Sequence, residues 1–266
     1  MPDTPEFGVP ELRPVNAGDL REALSRGWRD IKRAPSFAFV FAGVYVVLGW
    51  VVVWVTWTTG QTYWLIFAAF GFPLFAPFAA VAFYDVSRKI ERGRQLEWLE
   101  VMRVIAEQSN RQLPSMSVII ILIFLFWFFL GHMIFALFLG LSTMTNISTS
   151  LHVFLTREGL TMLAFGSLVG AAIATLLFMI TVFSLPLLLD REVDFVTAMI
   201  TSFRYVKEHP VPMFGWAIFI AVFTFISMLP GFFGLFVSLP LLGHATWHLY
   251  DILAYGTERK QEAVTV

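Results

Sequence analysis

Six stretches of the chain, roughly 36–58, 63–86, 114–141, 160–188, 211–232 and 233–255, are mostly apolar. Each meets the run of about 20 apolar residues that an α-helix needs to cross the hydrocarbon core of a bilayer. Lipid offers backbone amides no partners, so such segments are confined to helices that satisfy their own hydrogen bonds. The expected fold class is all-α, a polytopic membrane protein with six transmembrane helices. Composition agrees, with 58% hydrophobic residues, 14% charged residues and a mean hydropathy of +0.74, well outside the soluble range. The last two segments join through Pro230, Gly231 and Gly234, because a single helix from 211 to 255 overshoots any bilayer.

Orientation follows from the basic residues, which stay on the cytoplasmic side. Residues 1–35 hold six, the loop 87–113 another six, 189–210 three (Arg191, Arg204 and Lys207) and the tail two (Arg259 and Lys260), whereas the opposite side has only Arg157. Both termini are therefore expected in the cytoplasm. Trp50, Trp54, Trp57, Tyr63 and Trp64 gather near the first outer turn as an interfacial aromatic belt does. No signal peptide is expected, because 35 polar and charged residues precede the first apolar run, which exceeds an h-region in length. With no cysteine, disulfides, thiolate metal ligation and thiol catalysis are excluded. A net charge of −1 gives no general attraction to nucleic acid, so none is expected as a partner.

The segments between crossings carry a pattern. "DLREALSRGWRDIKRAP" (19–35) aligns with "DFVTAMITSFRYVKEHP" (194–210) at a constant offset of 175. Asp19/Asp194, Ala23/Ala198, Arg29/Arg204, Lys32/Lys207 and Pro35/Pro210 are identical, and Leu20/Phe195, Leu24/Met199, Trp28/Phe203 and Ile31/Val206 form one apolar helical stripe. Each segment reads as an amphipathic cytoplasmic interfacial helix, capped by Asp, stopped by Pro and leading into a crossing. Arg29, Lys32, Arg204 and Lys207 then face lipid headgroups. Residues 96–114 resemble a third copy in pattern only, and Pro73-Leu74, Pro186-Leu187 and Pro240-Leu241 mark the even-numbered crossings. The expected plan is three helix-plus-hairpin repeats, about 17–90, 94–189 and 192–255, between a flexible N-terminal segment 1–16 and a flexible tail 257–266.

"FSLPLLLDREVDFVTAMITSFRYVKEHPVPMFGW" (183–216) and "LLGHATWHLYD" (241–251) resemble the C-terminal half of a bacterial inner-membrane family known as domain-of-unknown-function family 2189, a likeness extending over about 30–260. It implies a bacterial inner (cytoplasmic) membrane and no established activity. Members are sometimes labelled as resembling cytochrome c oxidase subunit I, yet six crossings do not fit the dozen or so of an oxidase, nor its pattern of histidine ligands.

Three groups of polar residues stand out. His244, His248 and Asp251 fall at i, i+4 and i+7 on one helical face. They are a candidate metal or polar intramembrane site, since His-x3-His with a carboxylate one turn on clamps a metal, and His132 is the partner a haem would need. The alternative is neutral histidines hydrogen-bonded across helices. Tyr84, Asp85 and Tyr250 are a candidate cation-binding vestibule, because a Tyr-Asp pair ends both the second and the sixth crossing; the alternative is that each tyrosine anchors at the interface and each aspartate meets a nearby Arg or Lys. Gly166-x3-Gly170, with Ala171 and Ala174, offers a small-residue face for packing within the bundle or between copies. Asn146-Ile147-Ser148 matches a glycosylation sequon that a bacterial inner membrane does not use. No phosphate loop, serine elbow or zincin helix is present, so an enzyme is not expected, and no cofactor is assigned. The expected function is a non-catalytic accessory or scaffold protein that associates with anionic lipid and with a membrane complex or its own copies. A small-solute or ion transporter is the alternative, and metal or haem binding through the last helix is the second.

Overall fold

The computed structural model describes residues 6–60, 65–140 and 154–256, with the side chains of 6, 65–77 and 109 left out. Three groups of helices follow one another. The first is α1 (Ala17–Arg33), α2 (Pro35–Thr59) and α3 (Leu65–Glu91). Next come α4 (Trp98–Ser109), α5 (Leu113–Leu139), α6 (Arg157–Thr181) and α7 (Ser184–Asp190). Last are α8 (Phe195–Glu208), α9 (Pro210–Met228) and α10 (Leu235–Tyr255). Among the described residues the regular structure is helical apart from a two-residue parallel pairing of β1 (Glu6–Phe7) with β2 (Arg191–Glu192).

Among the described residues, four helical stretches are long and apolar enough to cross a membrane: Pro35–Thr59, Leu113–Leu139, Arg157–Asp190 and Pro210–Met228. The protein is a membrane protein on that evidence. Of the other two expected crossings, α10 is diluted by His244, His248, Asp251 and Pro240, and the first half of α3 has no described side chains. The third spanning stretch breaks at Val182 and Phe183, between α6 and α7. Pro186 explains the break, because it has no N–H to give the carbonyl of Val182. The freed Phe183 N–H donates instead to Ser202 Oγ on α8 at 3.1 Å, and Ser184 Oγ donates back to Ile180 O at 2.7 Å.

Gly170 lets α6 approach α5, since a Cβ there would lie 2.9 Å from the Trp127 ring. The small-residue face therefore packs inside the chain at Gly166 and Gly170, while Ala171 and Ala174 stay exposed. At the far end of α2, Trp50 Nε1 donates to Gly231 O at 2.8 Å in the turn between α9 and α10, and Trp54 and Trp57 are exposed further along the same helix. Tyr63 and Trp64, the sequon at Asn146 and the tail 257–266 lie outside the described residues, as do the side chains of Pro73 and Pro77.

One local expectation is corrected, and the segment before α1 makes contacts of its own: Arg13 N–H donates to Leu253 O at 3.0 Å, Tyr205 Oη donates to Arg13 O at 2.7 Å and Val15 is buried. The N-cap of α1 is Asn16 and not Asp19; Asn16 Oδ1 accepts from Asp19 N, and Asp19 Oδ2 accepts in turn from Asn16 N, a reciprocal capping box. Only α8 is capped by its Asp, Asp194, which accepts from Thr197 N at 2.9 Å. The matching Pro35 and Pro210 do end both helices, with Ala34 (φ −130°, ψ 54°) and His209 (φ −124°, ψ 57°) in the same backbone conformation before them.

Candidate functional site at the junction of α1, α3 and α10

α10 is heavily enclosed, with almost every residue from Leu242 to Leu253 buried. α1 crosses it at Gly27, where a Cβ would sit 2.9 Å from Ala245 N and 3.1 Å from Leu241 O. That is backbone against backbone, and any side chain at 27 would hold the helices apart. The apolar stripe of α1 is consequently not its innermost face. Asp19, Ala23, Gly27 and Asp30 are buried, while Leu20, Leu24 and Ile31 are half-buried and Trp28 is exposed.

The close crossing delivers Asp30 to His248. His248 Nε2 lies 2.6 Å from Asp30 Oδ2, and Nδ1 lies 3.0 Å from Glu91 Oε1 at the end of α3. Trp247 Nε1 donates to the other Glu91 oxygen at 3.2 Å, and Arg26 stands 3.6 Å from Glu91 while donating to Glu22 at 2.9 Å. A carboxylate only accepts, so an imidazole between two of them is fully bonded when both nitrogens carry a proton. His248 thereby ties three helices together as a buried cation between two anions. Both partners of each bond are needed, because a buried charge left alone costs about 3–5 kcal/mol.

The expected column of His244, His248 and Asp251 is not brought together as a ligand set. His244 faces α3, with Nδ1 2.7 Å from Ser87 Oγ and its ring edge-on to Phe83 at 5.3 Å, and its Nε2 has no partner among the described residues. His248 spends both nitrogens on carboxylates. Asp251 is buried separately, and among the described residues no group of three His, Cys, Asp or Glu side chains is spaced to hold a metal ion. His132 is exposed on α5 and bonded to Phe128 O of its own helix. The expected vestibule is packed interior: Tyr84, Asp85 and Tyr250 are at most 5% exposed. Asp85 pairs with Arg88 at 2.8 Å and Lys89 at 3.0 Å, Tyr84 stacks on Trp247, and Tyr250 Oη donates to Asp190 at 2.9 Å. Arg88 also donates to Leu189 O at 3.1 Å, so the ends of α3, α7 and α10 meet through these groups.

Beside His248 opens a groove of about 290 Å³ lined by Glu22, Arg26, Arg29, Asp30 and Arg33 of α1 together with Ile90 and Glu91 of α3. A second groove, of about 490 Å³, lies along α8 and is lined by Thr197, Ile200, Thr201, Arg204, Tyr205 and Glu208, with Val9, Pro10 and Leu12 of the N-terminal segment against it. The five positions named on α1 all have counterparts among these six at the offset of 175, and Ile200 is the addition. Only Arg29 and Arg204 keep their chemistry. Lys32 and Lys207 are exposed and line neither groove. Near α8, hydrogen bonds of 2.6 and 2.9 Å from Arg13 to Asp19 raise the guanidinium above its ordinary pKa despite partial burial, and burial pushes the Tyr205 phenol up.

Residues 65–190 match the family described as "Predicted integral membrane protein (DUF2189)". The family resemblance stands. The matched region runs from α3 to α7, so it begins later than the expected 30 and ends at Asp190, before most of the residues that first suggested it. The groove-bearing α1 and α8 lie outside it. No curated protein and no solved structure matches the chain.

The sequence reading missed Asp30, Glu91 and Ser87, the groups that receive the two histidines. A signal did exist. Asp30 and Arg26 occupy positions where the α8 segment has Tyr205 and Thr201, so two charges sit on the face that the copy keeps uncharged.

Proposed function

We propose that the protein is a non-catalytic scaffold of the bacterial inner membrane, with six crossings and both termini in the cytoplasm, that associates with anionic lipid and with a membrane complex or its own copies. One observation carries this reading. Exposed apolar side chains cover α2, α5, α6 and α9 along their lengths, whereas the ion pairs and exposed cations cluster at the ends of α1, α3, α8 and α10. Arg29, Lys32, Arg204 and Lys207 are all exposed at that level, where anionic headgroups attract Lys and Arg by about 1 kcal/mol each. The exposed stripe Val118, Leu122, Phe126, Phe129, Met133 and Leu137 leaves α5 a face for lipid or for another protein.

A three-unit arrangement is supported by how the interfacial helices pack. α1 rests on α10, α4 on α3, and α8 on α6 and α7, so each lies against the last crossing of the unit before it, and the order closes on itself. Trp98 of α4 stacks on Phe37 at 3.9 Å, tying the second unit to the first. Ala23, Gly27 and Asp30 are the buried face of α1, and Ala198, Ser202 and Tyr205 occupy the corresponding buried positions on α8.

The chain has no cysteine, so single substitutions report topology directly. Lys32→Cys and Lys207→Cys are expected to react with a membrane-impermeant maleimide only from the cytoplasmic side, and Thr58→Cys only from the other. Crosslinking in native membranes is expected to trap a stoichiometric partner or a second copy. Labelling of Lys32→Cys from outside contradicts the orientation, and purely monomeric, partner-free protein contradicts the scaffold role.

A further inference from the structure

We propose that the α1 groove binds one phosphate oxyanion, an assignment that rests on the lipid-associating reading above and narrows it to a site. The groove's three carboxylates are already engaged: Asp30 and Glu91 by His248, and Glu22 by Arg26 at 2.9 Å. The two remaining cations are not. Arg29 is 53% exposed and reaches a carboxylate only at 4.0 Å, and Arg33 has no hydrogen bond or ion pair among the described residues. With His248 as imidazolium, four cationic groups line the groove against three carboxylates, so its net charge is positive.

Two guanidinium groups from residues one helical turn apart on the lining of a groove suit a phosphate, because each presents a planar fork of donors that matches its oxygens. The space, about 290 Å³, is at the small end of ligand pockets, and its lining is charged except for Ile90. It therefore suits a polar headgroup rather than an acyl chain. The groove on α8 is the internal control. There Glu208 stands where α1 has Arg33, Thr201 where it has Arg26 and Thr197 where it has Glu22, leaving Arg204 balanced by Glu208 and no surplus for an anion. The oxyanion comes either from an anionic phospholipid or from free phosphate.

The test uses the full chain in neutral detergent and three forms: wild type, Arg29→Gln/Arg33→Gln, and Arg21→Gln/Arg103→Gln, which removes the same number of charges at exposed side chains that line neither groove. Native mass spectrometry compares retention of phosphatidylglycerol with retention of phosphatidylcholine, and a thermal-shift titration uses inorganic phosphate alone. The expected result is one phosphatidylglycerol retained by wild type and by the Arg21→Gln/Arg103→Gln control, with apparent affinity falling about tenfold or more in the Arg29→Gln/Arg33→Gln variant, hereafter the arginine variant, as the loss of charge-assisted bonds implies. A saturable shift with inorganic phosphate, lost in the arginine variant without any lipid retained, supports the site with free phosphate as its ligand. Equal retention by wild type and the arginine variant, with no phosphate shift, overturns the site and leaves general lipid association standing. No preference for phosphatidylglycerol in any form removes both. Should the double variant fail to fold, Arg33→Gln alone, at an exposed and unpaired side chain, carries the same comparison.

Discussion

The grooves on α1 and α8 share five helix positions, 175 residues apart, yet their floors differ. In the α1 groove, Asp30 is 2.6 Å from an imidazole that also meets Glu91. In the α8 groove, the corresponding Tyr205 donates its phenol to the carbonyl of Arg13 at 2.7 Å. One helix is fastened by buried charges that span three elements, the other by a neutral bond to the N-terminal segment. The backbone plan is shared and the polar chemistry is not, so what is particular to this molecule is concentrated where the two segments differ.

The sharpest way to break that contrast is to remove one member of the charged lock. His248→Ala strands Asp30 and Glu91 without their shared cation, and a loss of about 3–5 kcal/mol is expected from a buried pair broken on one side, whereas Tyr205→Phe removes one neutral bond and costs about 0.5–1.5 kcal/mol. Chemical unfolding in detergent, with hydrogen exchange localised to α1 and α8, checks both. Equal effects would erase the distinction. A second comparison concerns the crossing residues Gly27 and Ser202. Gly27→Val forces a side chain against the backbone of α10, for about 1–3 kcal/mol, and is expected to deprotect α1 amides. Ser202→Ala leaves room but orphans the Phe183 N–H, for about 1–3 kcal/mol localised to the α6–α7 break.

The long helices were legible in the sequence because apolar length is a strong signal, and the boundaries at Pro35 and Pro210 were legible because proline fixes both the stop and the next start. The lock was not. Asp30, Glu91 and His248 lie on three separate helices, and periodicity within one helix cannot say which foreign residue a histidine meets. His244 and His248 were grouped because they share a face, but one ring points to Ser87 and the other toward Asp30 and Glu91. The Asp19 cap was misplaced for a local reason: Asn16 stands three residues earlier, and in a capping box the acidic residue belongs at the third helical position.

Smaller effects sharpen the comparison at the helix starts. Asn16→Ala removes the acceptor of the α1 capping box and is expected to cost about 1 kcal/mol, read as fraying of the first turn by hydrogen exchange. At α8, hydrogen bonds from Thr197 hold the Asp194 carboxyl below its ordinary pKa. Its contribution is present above the unfolded carboxylate value and disappears as pH falls through the lower folded value. The Thr197 amide is therefore expected to lose protection only below about pH 4. Loss of protection at neutral pH would show that Asp194 is not the cap in solution.

A double-mutant cycle on Asp30 and His248 is the most direct measurement of the lock, with the stabilities of wild type, Asp30→Ala, His248→Ala and the double variant taken from unfolding in the same detergent. A bond between a buried carboxylate and an imidazolium predicts a favourable coupling energy of about 1.5–3 kcal/mol, with the double variant less damaged than the sum of the singles. A coupling energy of zero would mean that the two side chains do not meet, and that α1 is held on α10 by the close approach at Gly27 alone.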